Sequence, residues 1–218
     1  MDAMTTANAA TGADLERSAD KGRAPGRPRS AKADEAITRA VIELLSEGQN
    51  GAALSMDAVA ARAGVGKATI YRRWPNKEAM LIDAVRTMKG PPVQPPGESI
   101  RGDLIALVGA NRGKRMETYG KVTACLIPDL LRDEDLRAAF SAVMEPRRDL
   151  MRDVLRRGVA SGELRADLDI EISLLQLSAP GMVQNWFQWN PSVPREGLPE
   201  KVVDAFLRGA AEPSYHSP

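Results

Sequence analysis

Ser55-Met-Asp-Ala-Val-Ala-Ala-Arg-Ala-Gly-Val-Gly-Lys-Ala-Thr-Ile-Tyr-Arg-Arg-Trp-Pro-Asn-Lys77 is the stretch on which the fold turns. Met56, Val59, Ala60 and Ala63 recur at i, i+3, i+4 and i+7, so they share one face of a short helix. Ser55 stands ahead of it as an N-cap, able to accept from the first free backbone N–H groups. Gly64 suits the left-handed conformation that closes such a helix. Val65 is then an apolar plug between two helices, and Gly66 stands at the next N-cap. A second helix is predicted from Lys67 to about Trp74, burying Ile70 and Trp74 one turn apart. Its other face carries Lys67, Thr69, Tyr71, Arg72 and Arg73, and Pro75 stops it. This is a helix-turn-helix with an Arg/Tyr/Thr recognition face, the arrangement that lays its second helix in a DNA major groove.

Working outward, Asp34 to Glu47 is predicted as a first helix. Ile37, Ala40, Val41, Leu44 and Leu45 form its wide apolar stripe, and Gly48 ends it. Ahead of it, Lys21, Arg23, Arg27 and Arg29 are set among Gly and Pro. Such a segment is extended and slim, and suits an A·T-rich minor groove, where Arg27 and Arg29 would be drawn by the negative potential. The bland alternative is a solvated basic leader. Residues before it are Ala/Thr/Asp-rich, without periodicity, and read as a disordered tail. On the other side, Asn76 caps a fourth helix that runs to about Lys89. Gly90-Pro-Pro-Val-Gln-Pro-Pro-Gly97 cannot be helical and marks a linker.

Beyond the linker the pattern is helical, with no convincing strand, so the expected class is all-α. Helices are predicted at Glu98 to about Arg115, Met116 to Leu131, Glu134 to Ser161, Ile170 to about Trp189 and Glu200 to Ala210. Pro128 is expected to break the second or start the next turn, Pro146 to divide the third, and Pro180-Gly181 to kink the fourth. Three segments follow: residues 1–30 as tail and basic arm, 31–89 as the helix-turn-helix domain, and 98–212 as a second helical domain.

Composition narrows the function. Of 218 residues, 43% are apolar, ample for a packed core, and the net charge is only +1. That charge is uneven. Lys21 to Lys89 holds 13 Lys/Arg against 7 Asp/Glu, a basic third on a mildly acidic body. The single cysteine, Cys125, permits no intrachain disulfide and fits a reducing compartment; it reads as a small buried hydrophobe. The lone His216 lies near the C-terminus, so a His/Cys metal site and a nucleophile–base pair are both unexpected, as is any cofactor. No apolar run spans a membrane and no secretory leader is evident, so a cytoplasmic protein that is not an enzyme is expected.

From about Pro28 to Met88 the chain resembles the TetR family of bacterial transcriptional regulators. The resemblance rests on the Arg-rich leader, Glu47-Gly48, Met56-Asp-Ala-Val-Ala60, Gly64-Val-Gly-Lys-Ala-Thr-Ile-Tyr71 and Trp74-Pro-Asn-Lys-Glu78. It implies a homodimer that sets two recognition helices into successive major grooves of a palindromic DNA operator. It also implies release from DNA when a small-molecule effector binds the C-terminal domain. Position by position, it puts Thr69 and Tyr71 at base edges or nearby phosphates, Lys67 at another contact, and Arg73 and Lys77 at phosphates. Gly66, Ala68 and Arg72 complete the expected contact set, with Gly66 limited to its backbone N–H where many members carry Ser or Thr. An activator, or a DNA-binding protein of the same fold without a ligand, is the alternative function.

In the second domain the residues are read two ways. Met116, Met144, Met151 and Met182 are either adaptable pocket lining or ordinary core. Asn111, Thr123, Gln176 and Gln184 are either polar anchors in that pocket or surface residues. Trp186, Phe187, Phe206 and Leu207 either pack against a second copy or close the domain's own core.

Overall fold

The computed structural model describes residues 28–110 and 114–210, with the side chains at 28–30, 114–116 and 210 outside the description. Arg27 and Asn111 therefore lie outside the described residues, as do the side chains of Arg29 and Met116. All nine elements among the described residues are helices: α1 (Pro28–Ser46), α2 (Met56–Ala63), α3 (Lys67–Tyr71), α4 (Lys77–Lys89), α5 (Ile100–Gly109), α6 (Lys114–Arg132), α7 (Glu134–Ser161), α8 (Ile170–Phe187) and α9 (Leu198–Ala210).

The short-range signals behave as the sequence dictates. The Ser55 side chain accepts from the Ala58 N–H, Asn76 from Ala79, Asp133 from Leu136, and Asp169 from Glu171 and Ile172. Gly64 closes α2 at φ 66°. Several boundaries differ, α5 among them, which ends at Gly109 rather than about Arg115; three others bear on the argument. First, α1 begins at Pro28 rather than Asp34, so Arg29 sits in a first helical turn and not in an extended arm. Proline is favoured there, because its φ is already helical and its missing N–H would have had no partner. Second, α3 stops at Tyr71, and the Arg73 and Trp74 N–H groups both turn back to the Ile70 carbonyl at 2.9 and 3.0 Å. Third, α8 stops at Phe187, where Gln188 takes φ 46°.

Proline does not break α6 or α7. Pro128, Pro146 and Pro180 all lie inside continuous helices. Each is exposed, and the carbonyls freed four residues earlier belong to half-buried Ala124 and exposed Ala142 and Gln176, where water can satisfy them. The buried faces of the same helices hold them continuous.

Two apolar clusters hold the molecule together. The first joins Ile37, Val41 and Leu45 of α1, Val59 of α2, Ile70 of α3 and Leu81 and Val85 of α4. It continues without a break into Tyr119, Val122 and Leu126 of α6 and Val143 of α7. The second joins α5, α7, α8 and α9 through Leu104, Leu155, Leu177 and Val203. The Pro-rich linker is thus bypassed by a shared core.

The linker is also tethered at both ends. Arg147 donates to the Gly90 carbonyl. At the far end the fully buried Asp103 carboxylate accepts from the Gly97 N–H at 2.7 Å and from Arg157. Asp103→Ala would leave the Gly97 N–H without its acceptor. It is expected to cost about 1–3 kcal/mol, read as a lowered denaturant midpoint at unchanged m-value.

Candidate nucleic-acid interface and ligand cavity

The recognition face is built on two anchors. Ile70 is fully buried and Trp74 is 5% exposed, its Nε1–H donating to Asp83 Oδ2 at 3.3 Å. With those side chains pinned into α1 and α4, the opposite side of α3 must face outward. Tyr71 is 53% exposed. Lys67, Ala68, Arg72 and Arg73 are exposed beside it, and Thr69 is half-buried. Gly66 caps α3 in an extended conformation without a side-chain bond, so its neighbouring N–H groups are open to an anion.

The cations of this face are held by weak internal partners. Lys67 pairs with Asp57, both largely exposed. Arg73 pairs with Asp34 at 3.0 Å, and Arg72 donates to Thr69 Oγ1 at 3.4 Å. Lys77, expected at a phosphate, donates instead to the Ala52 carbonyl at 3.2 Å and is half-buried. A surface pair such as Lys67–Asp57 exchanges readily for a phosphate, since both charges remain largely in water. Arg62 at the end of α2 is exposed but not free. It forms a two-pronged pair with Glu47 at 2.8 and 2.9 Å and reaches Glu43 at 3.4 Å. Its bonds hold the Glu47 carboxyl below the usual range and fasten the end of α2 to α1.

In the C-terminal half a cavity of about 220 Å³ lies between α4, the linker and α5–α8. Met144, Met151 and Met182 line it, as one of the two readings had them. Gln176 does not. It follows Ile172 by one turn of α8 and faces outward with it, whereas Leu174, Ser178, Met182 and Asn185 face the cavity. Thr123 is spent on the Tyr119 carbonyl of its own helix at 2.8 Å. Gln184 fastens the chain after α8, donating to the Asn190 and Val193 carbonyls, both at 2.8 Å. Trp186 lines the cavity and packs on Gly120, where a Cβ would lie 3.3 Å from its ring, so it is not a surface residue awaiting a partner. Phe187 is 55% exposed, while Phe206 and Leu207 are half-buried against the second core.

The sequence reading missed the cavity's polar wall. Lys89, the last residue of α4, turns inward, its Nζ 4.5 Å from the centre of the Tyr119 ring. Burial, and then the neighbouring Arg147 guanidinium, push its pKa down to about 8. Burial raises Tyr119, whose hydroxyl lies 3.6 Å from Met144 Sδ. No periodicity marks a lysine as inward-facing at a helix end; only the tertiary fold does. Among the described residues, no cluster of His, Cys, Asp or Glu suits a metal, and no helix is long and apolar enough to cross a membrane.

Known proteins with the same features are regulators. Residues 37–84 match the family described as bacterial regulatory proteins, tetR family, and residues 94–206 match the tetracyclin repressor-like C-terminal domain. An uncharacterized HTH-type transcriptional regulator of Bacillus subtilis, YdeS, is 34% identical over 158 residues, covering 71% of this chain and 79% of YdeS. The DNA-binding transcriptional repressor TetR of Mycobacteroides abscessus is 36% identical over 126 residues, covering 54% of this chain and 64% of that protein. The crystal structure of the TetR family transcription regulator SCO0332 superposes with a TM-score of 0.57 at 26% identity, over 83% of this chain and all of that one. The exposed recognition helix over a buried brace and the helical domain behind it have one common context: the chain belongs to the TetR family and is a DNA-binding transcriptional regulator.

Proposed function

We propose that the protein is a homodimeric repressor that binds a palindromic operator through α3 and is released when a small-molecule effector fills the cavity. Residues 31–89 serve as the DNA-binding domain and 98–212 as the effector and dimerisation domain. The observation that carries this reading is the place of Lys89: one residue ends α4, the helix to which Trp74 behind α3 is bonded, and also forms the cavity wall. A ligand there touches α4 directly. The buried core shared by α1, α4, α6 and α7 would transmit any tilt of α4 to the reading head, because packed interiors move as units.

Dimerisation is supported by α8. Ile172, Leu175, Ala179, Val183 and Phe187 recur on one face, and Ile172, Leu175 and Phe187 are each more than half exposed. A stripe of that size on a soluble protein marks an interaction surface. The test of the whole reading is selection of bound fragments from sheared genomic DNA by the full chain. Recovery of an inverted repeat near a promoter supports it, and recovery of unrelated fragments would sink it.

The role of Lys77 follows from the same footprint. Lys77→Ala is expected to weaken binding to operator and random duplex alike. It should reduce the slope of log K against log salt by about 0.9 per protomer, since Lys77 leaves Ala52 for a phosphate. Titrations of both duplexes across salt concentrations check this. An unchanged slope would mean that Lys77 stays on the Ala52 carbonyl and only braces the loop.

A further inference from the structure

We propose that the cavity takes a compact organic anion with an apolar tail, its anionic head seated between the Lys89 ammonium and the Arg147 guanidinium. This deepens, and rests on, the reading of the cavity as the effector site.

Among the described residues the lining is apolar over most of its extent, with Leu107, Phe140, Met144, Met151 and Trp186 as its bulk, and no Asp or Glu contributes to it. Three cationic side chains do: Lys89, Arg147 and Arg148. Their situations differ. Arg148 is occupied by Glu145 at 3.0 Å and Ser141 Oγ at 2.8 Å. Arg147 donates to two backbone carbonyls, Val143 at 3.1 Å and Gly90, so no carboxylate neutralises it. Gly90 follows Lys89 in the chain, which brings the two cations to the same corner. Two like charges in a partly desolvated, apolar recess repel each other and lose hydration, and a bound anion relieves both. A neutral ligand relieves neither, and a cation adds a third like charge. Cation and tail together define the class: an amphipathic carboxylate, sulfonate or phosphate. The volume, about 220 Å³, lies below the ~300–1,000 Å³ usual for drug-sized ligands, so the tail is short.

Occupancy has a mechanical consequence. A head group bonded by Arg147 competes with the Gly90 carbonyl for its guanidinium, and that bond is one of the two tethers on the linker. Anion binding thus loosens the C-terminal end of α4.

The proposal also fixes a pH dependence. Among the described residues, the titratable or charged groups that line the cavity beside Lys89 are Tyr119 from α6 and Arg147 and Arg148 from α7. Burial raises Tyr119 away from this range. Lys89 changes charge here, its pKa pushed down to about 8. Head-group affinity is full below that value and declines as pH rises through it.

The experiment is calorimetric titration of the full chain with octanoate, 1-octanol and octylammonium at pH 7. Octanoate is expected to bind about 10-fold tighter than octanol, with octylammonium weakest, as one charge-assisted contact implies. Raising the pH to 9 should weaken octanoate and leave octanol unchanged. Lys89→Met and Arg147→Gln should each remove most of the octanoate preference while octanol still binds. Octanol binding as tightly as octanoate would overturn the anion assignment but leave the cavity reading standing. No binding by any of the three would overturn both. An octanoate preference that survives both substitutions would place the head group elsewhere and also overturn the proposal. The wild-type comparison alone decides the first two outcomes, so it does not depend on the variants folding.

Discussion

A Thr69→Ala/Tyr71→Ala double variant is expected to lose sequence-specific operator binding while keeping its fold. Tyr71 is more than half exposed, and the one side-chain bond of Thr69 is the long contact from Arg72, so removing both leaves the packing of α3 intact. Ile70 and Trp74 continue to hold the helix. Each base contact discriminates by about 1–3 kcal/mol, so two amount to a loss of roughly 30-fold or more per protomer. Fluorescence anisotropy on the selected operator and on a scrambled duplex measures it. The expected result is that the two curves converge, because the remaining cations still bind phosphate without regard to sequence. Unchanged discrimination would falsify the assignment of α3 as the reading helix. An unchanged thermal transition separates loss of contacts from loss of fold. Ile70→Ala is the control in the other direction. Truncating a fully buried side chain typically costs 2–5 kcal/mol and would damage binding through stability.

The recognition unit was legible because its determinants are local. A serine three residues ahead of its hydrogen-bond partner, a glycine where the chain must turn left-handed, and an asparagine before α4 act within a turn of the residues they cap. Ile70 and Trp74 lie a turn apart beside a proline, which sets the buried side of α3 and with it the exposed one. The cavity was less legible for the opposite reason. In α8 apolar residues occupy the whole circumference: Leu174 and Leu177 are buried while Leu175 and Ile172 are exposed. Periodicity then cannot fix the rotation of the helix, and it leaves the sides of Gln176 and Trp186 open. Lys89 and Arg147 carry charge into the interior, against any pattern rule. Only the approach of α6 and α7 to the end of α4 makes their position intelligible. Pro128 and Pro146 mislead similarly. A proline on an exposed helix face costs less than the buried face gains, and sequence alone does not say which face it occupies.

Leu175→Glu is expected to convert the protein from dimer to monomer and to weaken operator binding by about two orders of magnitude or more. Leu175 is 58% exposed in the single chain, so the substitution removes no internal contact and should leave the melting of an isolated protomer unchanged. On a face shared by two copies, the same carboxylate would be buried on the apolar stripe that Ile172 and Phe187 belong to, a prohibitive desolvation. Multi-angle light scattering distinguishes a mass near 23.5 kDa from twice that value. The loss in DNA affinity follows from valency. Two linked reading heads on a palindrome bind with an effective concentration that a monomer lacks, worth about 10²–10⁴ in affinity. A half-site duplex should bind wild type and variant alike, since the contacts of α3 are untouched. This separates the interface from the recognition helix. If Leu175→Glu leaves the mass at the dimer value, α8 is not the interface. If wild type is itself monomeric and binds the full site no better than the half-site, the homodimeric reading fails, while the contacts made by a single α3 remain to be judged by the Thr69 and Tyr71 substitutions.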